Sequence, residues 1–497
     1  MLKVLMATSE AVPFAKTGGM ADVCGALPVE LKRLGHDVRL IMPAYPSVFA
    51  SGQPIEETDV RFDIPIGNQV LTGRLLRSAL PESDVPVYLV EQHDFFGRVG
   101  LYGEGGQDYR DNCQRFVFFS RAVMETMRLL EMDVDVVHCN DWQTALVPAY
   151  LAIEYRGARG FESTVSLFTI HNLAYQGRFW HWDMLLTGLD WKYFNWQQME
   201  FYGDLNLMKT GIVFADAINT VSPRYSEEIQ RPPLGCGLEG VLSNRRECLS
   251  GILNGVDYGV WNPANDSALS QQYSIDNWRE GKARCKAALQ ERLGLLRDPN
   301  VPLFGLVGRL VEQKGINLVY EIMQRWSHQH PVQWALLGTG DPRYHRQLQE
   351  LAHEFPNRVA VRLEFSDELA RQIEAGADMF LMPSRYEPCG LNQLYSLKYG
   401  TIPIVHETGG LADTVVDTRE ETIADQSANG FSFDDFSVVG LERALERGCN
   451  LYLHNRQAWE QIVTTAMSQD WSWKRSAREY VALYEQTVAR VKETICA

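Results

Sequence analysis

Short apolar segments alternate with amphipathic segments along the whole chain, and this alternation is typical of α/β folds with parallel strands. In the first half, a buried strand is followed by a glycine-containing loop and by a helix with one apolar face that ends at Gly35. The strands predicted in this half are residues 2–7, 38–42, 134–137, 166–170 and 217–221. The first half is therefore predicted to be one doubly wound unit.

A less apolar segment, residues 262–277, interrupts the alternation and suggests a linker or a domain boundary. The pattern then begins again and predicts a second doubly wound unit, with strands at residues 303–307, 334–337, 359–363, 379–382 and 401–405. Residues 473–491 carry apolar side chains at helical spacing and predict a long terminal helix. Loops at the carboxyl ends of parallel strands commonly bind ligands, so we expect the functional residues there, with a ligand in a cleft between the two units.

The charge balance limits the possible partners. The 497 residues include 47 Lys and Arg against 63 Asp and Glu, and the formal net charge of −16 repels nucleic acids and anionic membranes. Glu10 precedes any apolar stretch of signal-peptide length, and no stretch of about eighteen apolar residues follows, so we expect no signal peptide and no transmembrane helix. The nine cysteines form no C-x-x-C pair, which favours a reducing cytoplasm over a disulfide framework or a zinc site.

Lys16-Thr17-Gly18-Gly19 follows the first predicted strand and opens the first predicted helix. Glycine lets the backbone approach a ligand closely, and the N–H groups of a helix N-terminus together with a cation suit an anion. The spacing is not that of a P-loop, and a tight strand-to-helix turn with an exposed lysine is the alternative interpretation.

Three loops of the second half carry candidate residues. Arg309 and Lys314 follow strand 303–307 and together suit a diphosphate leaving group, although two solvated loop cations are the alternative. Glu387-Pro388-Cys389-Gly390-Leu391 follows strand 379–382 and would place the Glu387 carboxylate at the carboxyl end of that strand. The alternative is that Glu387 only interacts favourably with the dipole of the following helix. Thr408-Gly409-Gly410 follows the next predicted strand and offers backbone N–H donors at a helix start. The Glu387 loop and this loop together predict a phosphate cradle.

Polar residues also follow two strands of the first half. His138 and Asp141 lie at the end of one strand, and His171 lies at the end of the next. Either histidine could hydrogen-bond a sugar hydroxyl or only the neighbouring backbone. Asn254, where the two halves meet, could belong to an ordinary Asn-Gly turn.

Asp133 and Asp135 form a carboxylate pair whose spacing could hold a divalent metal beside a nucleotide sugar. Both precede their strand and should lie at the opposite end of the sheet from the other candidates. We therefore predict no metal site there.

Taken together, these motifs resemble the family of bacterial glycogen synthases and plant starch synthases. They are KTGGMADV at 16–23, HCNDW at 138–142, TIHNLAYQG at 169–177, NGVD at 254–257, GRLVEQKG at 308–315, PSRYEPCGLNQLYSLKYG at 383–400 and TGGLADTV at 408–415. The resemblance implies an α/β GT-B fold, in which two Rossmann-like doubly wound domains face a deep interdomain cleft. The implied domains are residues 1–250 and 251–472, followed at 473–497 by a helix that crosses back to the first domain.

The same resemblance implies transfer of glucose from ADP-glucose to the non-reducing 4-hydroxyl of glycogen or another α-1,4-glucan, with retention at the anomeric carbon. It implies no metal and no cofactor. Related retaining transferases carry a second Glu eight positions after the first, but this chain has Tyr395 there, so a two-Glu mechanism is not supported. A front-side route, in which a phosphate oxygen takes the acceptor proton, is a hypothesis that the sequence does not decide against a double displacement.

Residue by residue, the resemblance implies that Lys16 lies near the donor phosphates and sugar, and that His171 is the active-site histidine at the glucosyl group. Arg309 and Lys314 would hold the diphosphate, and Glu387 would lie against the donor glucose. The other implied binding residues are Gly18, Gly19, Asp22, Asp141, Asn172, Asn254, Phe365 as a platform for adenine, Cys389, Gly390, Leu391, Thr408, Gly409 and Gly410.

Alternative functions stay open at this point. One is a GT-B transferase that uses UDP-glucose or another acceptor, and another is a non-catalytic glucan-binding protein that keeps the fold. A nicotinamide-dependent dehydrogenase is disfavoured because no strict G-x-G-x-x-G follows the first strand. The sequence does not indicate the oligomeric state.

Overall fold

A computed structural model describes residues 1–496, with side chains described as far as residue 493. The chain divides into two units. Unit 1 comprises residues 1–255 together with the terminal helix from Trp473, and unit 2 comprises residues 256–472.

Unit 1 is built on a largely parallel sheet. Its strands are β1 (Lys3–Ala7), β2 (Asp37–Pro43), β3 (Glu56–Ile66), β4 (Gln69–Ala79), β5 (Pro86–Glu91), β6 (Gly103–Glu104), β7 (Gln107–Asp108), β8 (Val136–Asn140), β9 (Val165–Ile170), β10 (Arg178–Phe179), β11 (Glu200–Phe201), β12 (Asp204–Asn206), β13 (Ala217–Thr220) and β14 (Leu249–Gly251). The main sheet has the order β14-β13-β9-β8-β1-β2-β5-β4-β3. Strands β14 to β5 pair in parallel, and β4 and β3 extend the sheet as an antiparallel hairpin.

The helices of unit 1 connect the parallel strands. They are α1 (Gly19–Arg33), α2 (Pro46–Ala50), α3 (His93–Phe96), α4 (Asn112–Leu129), α5 (Leu146–Tyr150), α6 (Met184–Thr187), α7 (Leu207–Phe214), α8 (Pro223–Glu228) and α9 (Glu239–Asn244). Helix α1 buries the apolar face that the sequence predicts, including Val23, Leu27 and Leu31. The apolar core of the unit lies between the sheet and these helices.

The order of the parallel strands reverses at one place in unit 1. Strands β1, β2 and β5 are added in one direction, and β8, β9, β13 and β14 are added in the other. Such a reversal is the switch point of a doubly wound sheet, where ligands bind outside the carboxyl ends of the strands. The switch point of unit 1 lies between β1 and β8, so the loops after these two strands are its candidate site.

The hairpin of β3 and β4 has no counterpart among the predicted strands. Along β3, the buried residues Phe62, Ile64 and Ile66 alternate with exposed ones. One face of this hairpin is therefore solvated, and its sequence lacks the continuous apolar run that marks a strand covered on both faces.

Unit 2 is a parallel α/β unit. Its strands are β15 (Leu303–Val307), β16 (Gln333–Leu337), β17 (Val359–Arg362), β18 (Met379–Met382), β19 (Ile402–His406) and β20 (Phe431–Phe433). Its helices are α10 (Trp278–Leu293), α11 (Ile316–Gln329), α12 (Pro342–Glu354), α13 (Asp367–Gly376), α14 (Asn392–Tyr399), α15 (Gly409–Thr414), α16 (Glu420–Ala424), α17 (Val438–His454) and α18 (Arg456–Ser468). Separate apolar clusters take up alternate residues of the strands, for example Leu303 in one and Phe304 in the other, which explains why these strands read as continuous apolar runs.

The sheet of unit 2 has the order β17-β16-β15-β18-β19-β20, and all its pairs are parallel. This is the strand order 3-2-1-4-5-6 of Rossmann-like sheets, with the switch point between β15 and β18. The predicted fold class, two Rossmann-like α/β units, is confirmed.

The polar segment 262–277 lies inside unit 2 and is not a linker. The Tyr273 hydroxyl donates to the Tyr399 carbonyl oxygen at 2.7 Å, and the Tyr399 hydroxyl donates to the buried Asp266 carboxylate at 2.5 Å. Asp266 and Tyr273 thus hold the segment against α14. The chain instead passes between the units at residues 255–256 and 472–473.

The terminal helix α19 (Trp473–Cys496) packs on unit 1, against α1 and β9. Tyr480 and Tyr484 are fully buried on the face that the spacing predicts. Within residues 1–496, no helix is both long and apolar enough to cross a lipid bilayer.

His138 lies at the centre of a buried hydrogen-bond chain that joins the sheet to α19. The Thr169 hydroxyl donates to Asn219 Oδ1, so His138 Nε2–H donates to Thr169 Oγ1 at 2.6 Å, and His138 Nδ1 accepts from the Tyr484 hydroxyl at 2.8 Å. Burial lowers the pKa of His138 to about 3, so the imidazole is neutral at pH 7. His138 therefore binds groups within the protein and is not available to a sugar hydroxyl.

This chain of hydrogen bonds predicts the effect of removing one hydroxyl. Tyr484→Phe leaves the buried His138 Nδ1 without a donor and is expected to lower the free energy of unfolding by about 1–2 kcal/mol. Denaturant titration measures the change. Tyr202→Phe is the matched control, because Tyr202 is 81% exposed and its hydroxyl can exchange partners with water. Equal stabilities for the two variants would contradict the proposed role of His138.

Candidate active site

Three loops carry all the candidate residues of unit 1 except Asn254, and all three follow strands at or next to the switch point. They are the loop between β1 and α1, the turn after β8 at Asp141, and the turn after β9 at His171 and Asn172. Asp141 Oδ1 accepts a hydrogen bond from the His171 backbone N–H at 2.7 Å, which ties the second turn to the third.

Lys16 and Asp22 are brought together by the start of α1. Lys16 Nζ donates to Asp22 Oδ1 at 2.8 Å, and the Lys16 side chain remains 51% exposed. An ammonium group has three N–H donors, so Lys16 can keep this ion pair and still bind an oxygen of a ligand. Lys16 and Asp22 therefore stand side by side at the start of α1.

The loop amides predicted to face an anion are bound by a carboxylate of the chain itself. Buried Glu10 accepts hydrogen bonds from the Thr17 N–H (2.5 Å), the Thr17 hydroxyl (2.6 Å), the Gly18 N–H (3.2 Å) and the Tyr102 hydroxyl (2.6 Å). A carboxylate beside the first turn of a helix is favoured by the helix dipole. Glu10 thus fixes the shape of the loop that carries Lys16.

Gly18 caps α1 in an extended conformation, and Gly19 is the first residue of the helix. A Cβ atom added to Gly18 would meet no atom within 4 Å, so no contact inside the chain requires glycine at this position. Because Gly18 has no side chain, a ligand can approach the backbone beside Lys16 closely.

Asp141 has a strained backbone and an unusual acidity. Its φ of 54° and ψ of −176° belong to a region that residues other than glycine rarely adopt, and such strain is commonly found at functional sites. The side chain is 9% exposed, and burial raises the pKa of Asp141 to about 7 against the opposing effect of the His171 and Asn172 amides. Asp141 therefore changes its charge near neutral pH.

The hydrogen bonds of His171 define its tautomer. Asn140 Nδ2 donates to the Ala7 carbonyl oxygen at 3.0 Å, so Asn140 Oδ1 faces His171 Nε2 at 2.9 Å and can only accept. His171 Nε2 therefore carries the proton, and Nδ1 presents a lone pair. Desolvation lowers the pKa of His171, which keeps the imidazole neutral at pH 7.

Asn254 lies at the end of the first segment of unit 1. It is 6% exposed, and its Oδ1 atom is buried with no hydrogen-bond partner among the described residues. Gly255 is required by packing, since a Cβ atom there would lie 2.4 Å from the Trp473 Cα atom. The turn is thus held against α19, and the Asn254 side chain keeps an unused acceptor.

The switch point of unit 2 holds a buried carboxylate with two donors on one oxygen. Glu387 Oε2 accepts from Lys314 Nζ at 2.5 Å and from the Ser384 hydroxyl at 2.9 Å. Glu387 is 8% exposed, and Ser384 is 1% exposed. Lys314 follows β15 and Glu387 follows β18, so this ion pair joins the two strands that define the switch point.

Backbone contacts lock the Lys314 loop to the Glu387 loop. The Arg385 N–H donates to the Gln313 carbonyl oxygen at 2.8 Å, and Gln313 Nε2 donates to the Tyr386 carbonyl oxygen at 3.3 Å. Arg309 is exposed, and the only polar partner of its side chain among the described residues is Gln313 Oε1 at 3.2 Å. Arg309 and Lys314 therefore flank the same loop, one free to reorient and the other held by Glu387.

The glycines after β19 pack on the Glu387 loop. A Cβ atom on Gly409 would lie 2.0 Å from the Glu387 carbonyl oxygen, and one on Gly410 would lie 2.1 Å from the Cys389 carbonyl oxygen. The Gly410 N–H donates to the carbonyl oxygens of Glu387 (3.2 Å) and Pro388 (3.1 Å). The amide that the sequence assigns to a phosphate cradle thus holds two protein loops together, because the glycines let the two backbones touch.

Most of the remaining candidates of this unit belong to the Glu387 loop or follow the neighbouring strand β19. Cys389 and Thr408 are buried, Gly390 has a φ of 74°, and Leu391 precedes α14. Phe365 stands apart on the loop before α13 and is 83% exposed.

Tyr395, at the position where related transferases have a second Glu, lies in the core of unit 2. It stacks on Trp261 with ring centroids 3.8 Å apart and an interplanar angle of 2°. A carboxylate could not replace this contact. Within the described residues, no group of three or more His, Cys, Asp or Glu side chains is placed to hold a metal ion, and Asp133 pairs with Lys3.

Glu10 and Ser384 are the site residues that sequence reasoning missed. Glu10 is the one charged residue in the otherwise uncharged stretch 4–15, and an isolated charge in such a stretch indicates a buried and paired group. Ser384 carries no comparable signal, because serine is common in turns after strands.

Comparisons with known proteins agree over nearly the whole chain. A family model described as the starch synthase catalytic domain matches residues 3–244, and one described as glycosyl transferases group 1 matches residues 290–461. A glycogen synthase from Rhodopirellula baltica is 46% identical over 498 residues, covering 98% of each chain. Glycogen synthase 2 from Geobacter metallireducens is 46% identical over 483 residues, covering 97% of this chain and 98% of its own.

Solved structures show the same relation. The catalytic domain of starch synthase IV from Arabidopsis thaliana, bound to ADP and acarbose, matches with a TM-score of 0.89 at 33% identity and covers 98% of this chain and 99% of its own. Together with the two Rossmann-like sheets, these matches confirm the family and the type of enzyme that the motifs predict. The chain belongs to the glycogen synthase and starch synthase family and is a glycosyltransferase.

Proposed function

We propose that this protein transfers glucose from ADP-glucose to the 4-hydroxyl at the non-reducing end of an α-1,4-glucan, with retention at the anomeric carbon. The observation that carries the proposal is the cluster of Lys314, Ser384 and Glu387 at the switch point of unit 2, in a chain that is 46% identical to a glycogen synthase. The ADP held by the Arabidopsis starch synthase IV structure supports adenine as the base of the donor.

Unit 2 supplies the groups for the donor. Arg309 is exposed and able to bind phosphate oxygens through its planar donors, and Lys314 can bind a further oxygen with its remaining N–H groups while it stays paired with Glu387. Phe365, which is 83% exposed, is assigned to adenine as a stacking platform.

The reaction breaks the bond between the anomeric carbon and the phosphate oxygen and forms a bond from that carbon to the acceptor 4-oxygen. Negative charge develops on the departing diphosphate, and Arg309 and Lys314 stabilise it without a metal ion. The acceptor hydroxyl loses its proton to a phosphate oxygen of the leaving group, so charge and protons balance. No cofactor takes part in this scheme.

The surroundings of Glu387 favour a front-side route over a double displacement. Lys314 and Ser384 both bind Glu387 Oε2, so the negative charge of the carboxylate is already shared with two donors, while Oε1 can still accept. An ion-paired and hydrogen-bonded carboxylate is a weaker nucleophile, but it can accept hydrogen bonds from the hydroxyls of the donor glucose. We therefore assign Glu387 to binding and orienting the donor sugar.

Unit 1 supplies the groups assigned to the sugars. Neutral His171 presents an Nδ1 lone pair to a sugar hydroxyl, and Asn254 Oδ1 is a buried acceptor that needs a donor. Asp141 and Asn172 line the turn next to His171. Lys16 is assigned to the donor phosphates, with Asp22 and Glu10 holding its position. The cytoplasmic location expected from the cysteine content stays a prediction.

Nucleoside diphosphate release with glycogen as acceptor tests the proposal. We expect release from ADP-glucose and much less from UDP-glucose, full activity in the presence of EDTA, and a loss of about a hundredfold or more in Glu387→Ala. Glu350→Ala, an exposed carboxylate on α12, is the matched control and should behave as wild type. Release from UDP-glucose alone would make the protein a transferase with another donor. Glycogen binding without any turnover would make it a non-catalytic glucan-binding protein.

Lys314→Ala separates leaving-group stabilisation from donor binding. If Lys314 acts mainly as the bond to phosphate breaks, kcat is expected to fall by about a hundredfold while the KM for the donor changes little. Steady-state kinetics with ADP-glucose and glycogen measure both. Arg346→Ala removes an exposed cation of the same unit and serves as control. An unchanged kcat in Lys314→Ala would refute this role.

The raised pKa of Asp141 predicts a pH dependence. Above about pH 7 the side chain is a carboxylate that accepts hydrogen bonds from sugar hydroxyls, so kcat/KM for the acceptor should rise with pH through an apparent pKa near 7. Asp141→Asn cannot ionise and should lose this limb of the profile. Asp84→Asn, at a fully solvated position, should retain it. The same limb in wild type and Asp141→Asn would assign the ionisation to another group.

A further inference from the structure

His406 is the last residue of β19, and the scheme above gives it no role. Its Nδ1 atom lies 2.8 Å from the Ser384 carbonyl oxygen. A carbonyl oxygen only accepts hydrogen bonds, so His406 Nδ1 carries a proton and is the donor. Ser384 precedes Glu387 on the same loop, so β19 binds the Glu387 loop through a side chain as well as through the close contact of Gly409 and Gly410.

The hydrogen bond from His406 is one of two that hold a single peptide unit. This unit joins Ser384 to Arg385: its carbonyl oxygen accepts from His406, and its N–H group donates to the Gln313 carbonyl oxygen at 2.8 Å. Gln313 follows β15, and β15 and β19 are the two neighbours of β18 in the sheet. The strands on both sides of β18 therefore fix the orientation of the peptide unit that follows it.

Close packing also restricts the residue before this unit. A Cβ atom on Gly315 would lie 2.1 Å from the Pro383 carbonyl oxygen, so the backbone after Lys314 touches the chain directly before Ser384. Ser384 is 1% exposed, and its hydroxyl lies 2.9 Å from Glu387 Oε2. The position of this hydroxyl is thus determined by a backbone that is held from two sides.

The imidazole of His406 is itself held by aromatic rings. The ring centroids of Phe433 and Phe436 lie 5.5 Å and 5.2 Å from the centroid of His406. The other contact of Phe436 is with Arg385, whose guanidinium carbon lies 4.5 Å from the ring centroid. The His406 side chain therefore makes two kinds of contact, ring packing and one hydrogen bond, and substitutions can remove them separately.

We propose that His406 is a positioning residue for the transfer reaction and acts through Ser384 on the Glu387 carboxylate. The inference rests on the proposed function for the role of Glu387 toward the donor glucose. Lys314 and Ser384 share Glu387 Oε2, so a displaced Ser384 hydroxyl would change the orientation of the carboxylate and its pairing with Lys314. A misplacement of about 1 Å at a distance from the reacting atoms can lower turnover by about a hundredfold.

Two substitutions separate positioning from packing. His406→Phe keeps a ring against Phe433 and Phe436 but removes the donor to Ser384. His406→Asn removes the ring but keeps a donor, because the Nδ2 atom of asparagine and the Nδ1 atom of histidine are both bonded to Cγ. If His406 served only to pack the core, His406→Phe would be the milder change. If it positions Ser384, His406→Asn is the milder change for turnover.

Steady-state kinetics with ADP-glucose and glycogen test the inference. We expect the kcat of His406→Phe to fall by about tenfold or more, with little change in the KM for glycogen, and His406→Asn to retain most of the wild-type kcat. His454→Phe makes the same substitution at an exposed histidine on α17 and is the matched control. Melting temperatures show which variants are folded.

A double-mutant cycle tests whether the effect passes through Ser384. Ser384→Ala removes the hydroxyl that binds Glu387, so it should lower kcat by itself, and adding His406→Phe should then change kcat by less than about twofold. Ser384→Ala removes one oxygen atom, so it keeps the inference testable even if His406→Phe does not fold.

Four results would overturn the inference. They are a wild-type kcat in folded His406→Phe, a lower kcat in folded His406→Asn than in His406→Phe, a wild-type kcat in Ser384→Ala, and losses of kcat that multiply in the double variant. The second result would make ring packing the main contribution of His406. The last would mean that His406 acts by a path that does not include the Ser384 hydroxyl.

Failure of this inference can be distinguished from failure of the proposed function. Transfer from ADP-glucose that is equal in wild type and folded His406→Phe would refute this inference alone. Turnover of UDP-glucose alone would refute the proposed donor, and the opposite effects of His406→Phe and His406→Asn, measured with UDP-glucose, would still support this inference. The absence of any turnover in the wild-type protein would overturn both.

Discussion

In a doubly wound sheet, two neighbouring parallel strands send their connections in opposite directions, and the space beyond their carboxyl ends is left uncovered. Each unit of this protein has one such pair, β1 with β8 and β15 with β18. The chemistry-bearing side chains follow from this constraint, because Lys16, Asp141, Lys314 and Glu387 all stand on loops that leave these four strands. The sheet order thus decides which of the many polar loop residues can meet.

Charges at both switch points are balanced locally before any ligand is considered. Lys16 pairs with Asp22, Lys314 pairs with Glu387, and the amides at the start of α1 are bound by Glu10. A buried charge without a partner would be costly, so these pairs let the loops keep a defined shape. Arg309 is the exception, since it is exposed and bound only weakly to a neutral side chain. Of these cations, it is the one best able to follow a moving phosphate.

Much of this arrangement could be predicted from the sequence, and the parts that could not have physical reasons. Continuous apolar runs identify strands covered on both faces, as in β15, but not the half-solvated hairpin of β3 and β4. Motif position predicts that Lys314 and Glu387 lie at one end of a sheet, but pattern alone cannot show that Ser384 shares the same carboxylate oxygen. The two histidines that follow β8 and β9 look alike in sequence, and only their three-dimensional partners separate the structural His138 from His171, because Tyr484 comes from the far end of the chain.

The close contact of Gly409 and Gly410 with the Glu387 loop has a mechanical consequence. Two backbones that leave no room for a methyl group between them cannot slide past each other, and the bifurcated hydrogen bond from the Gly410 N–H fixes their spacing. The loops after β18 and β19 therefore behave as one rigid lever. A displacement of β19 or α15 is therefore expected to shift the backbone of the Glu387 loop, which carries the carboxylate paired with Lys314, so that a change at the neighbouring strand would reach the switch point.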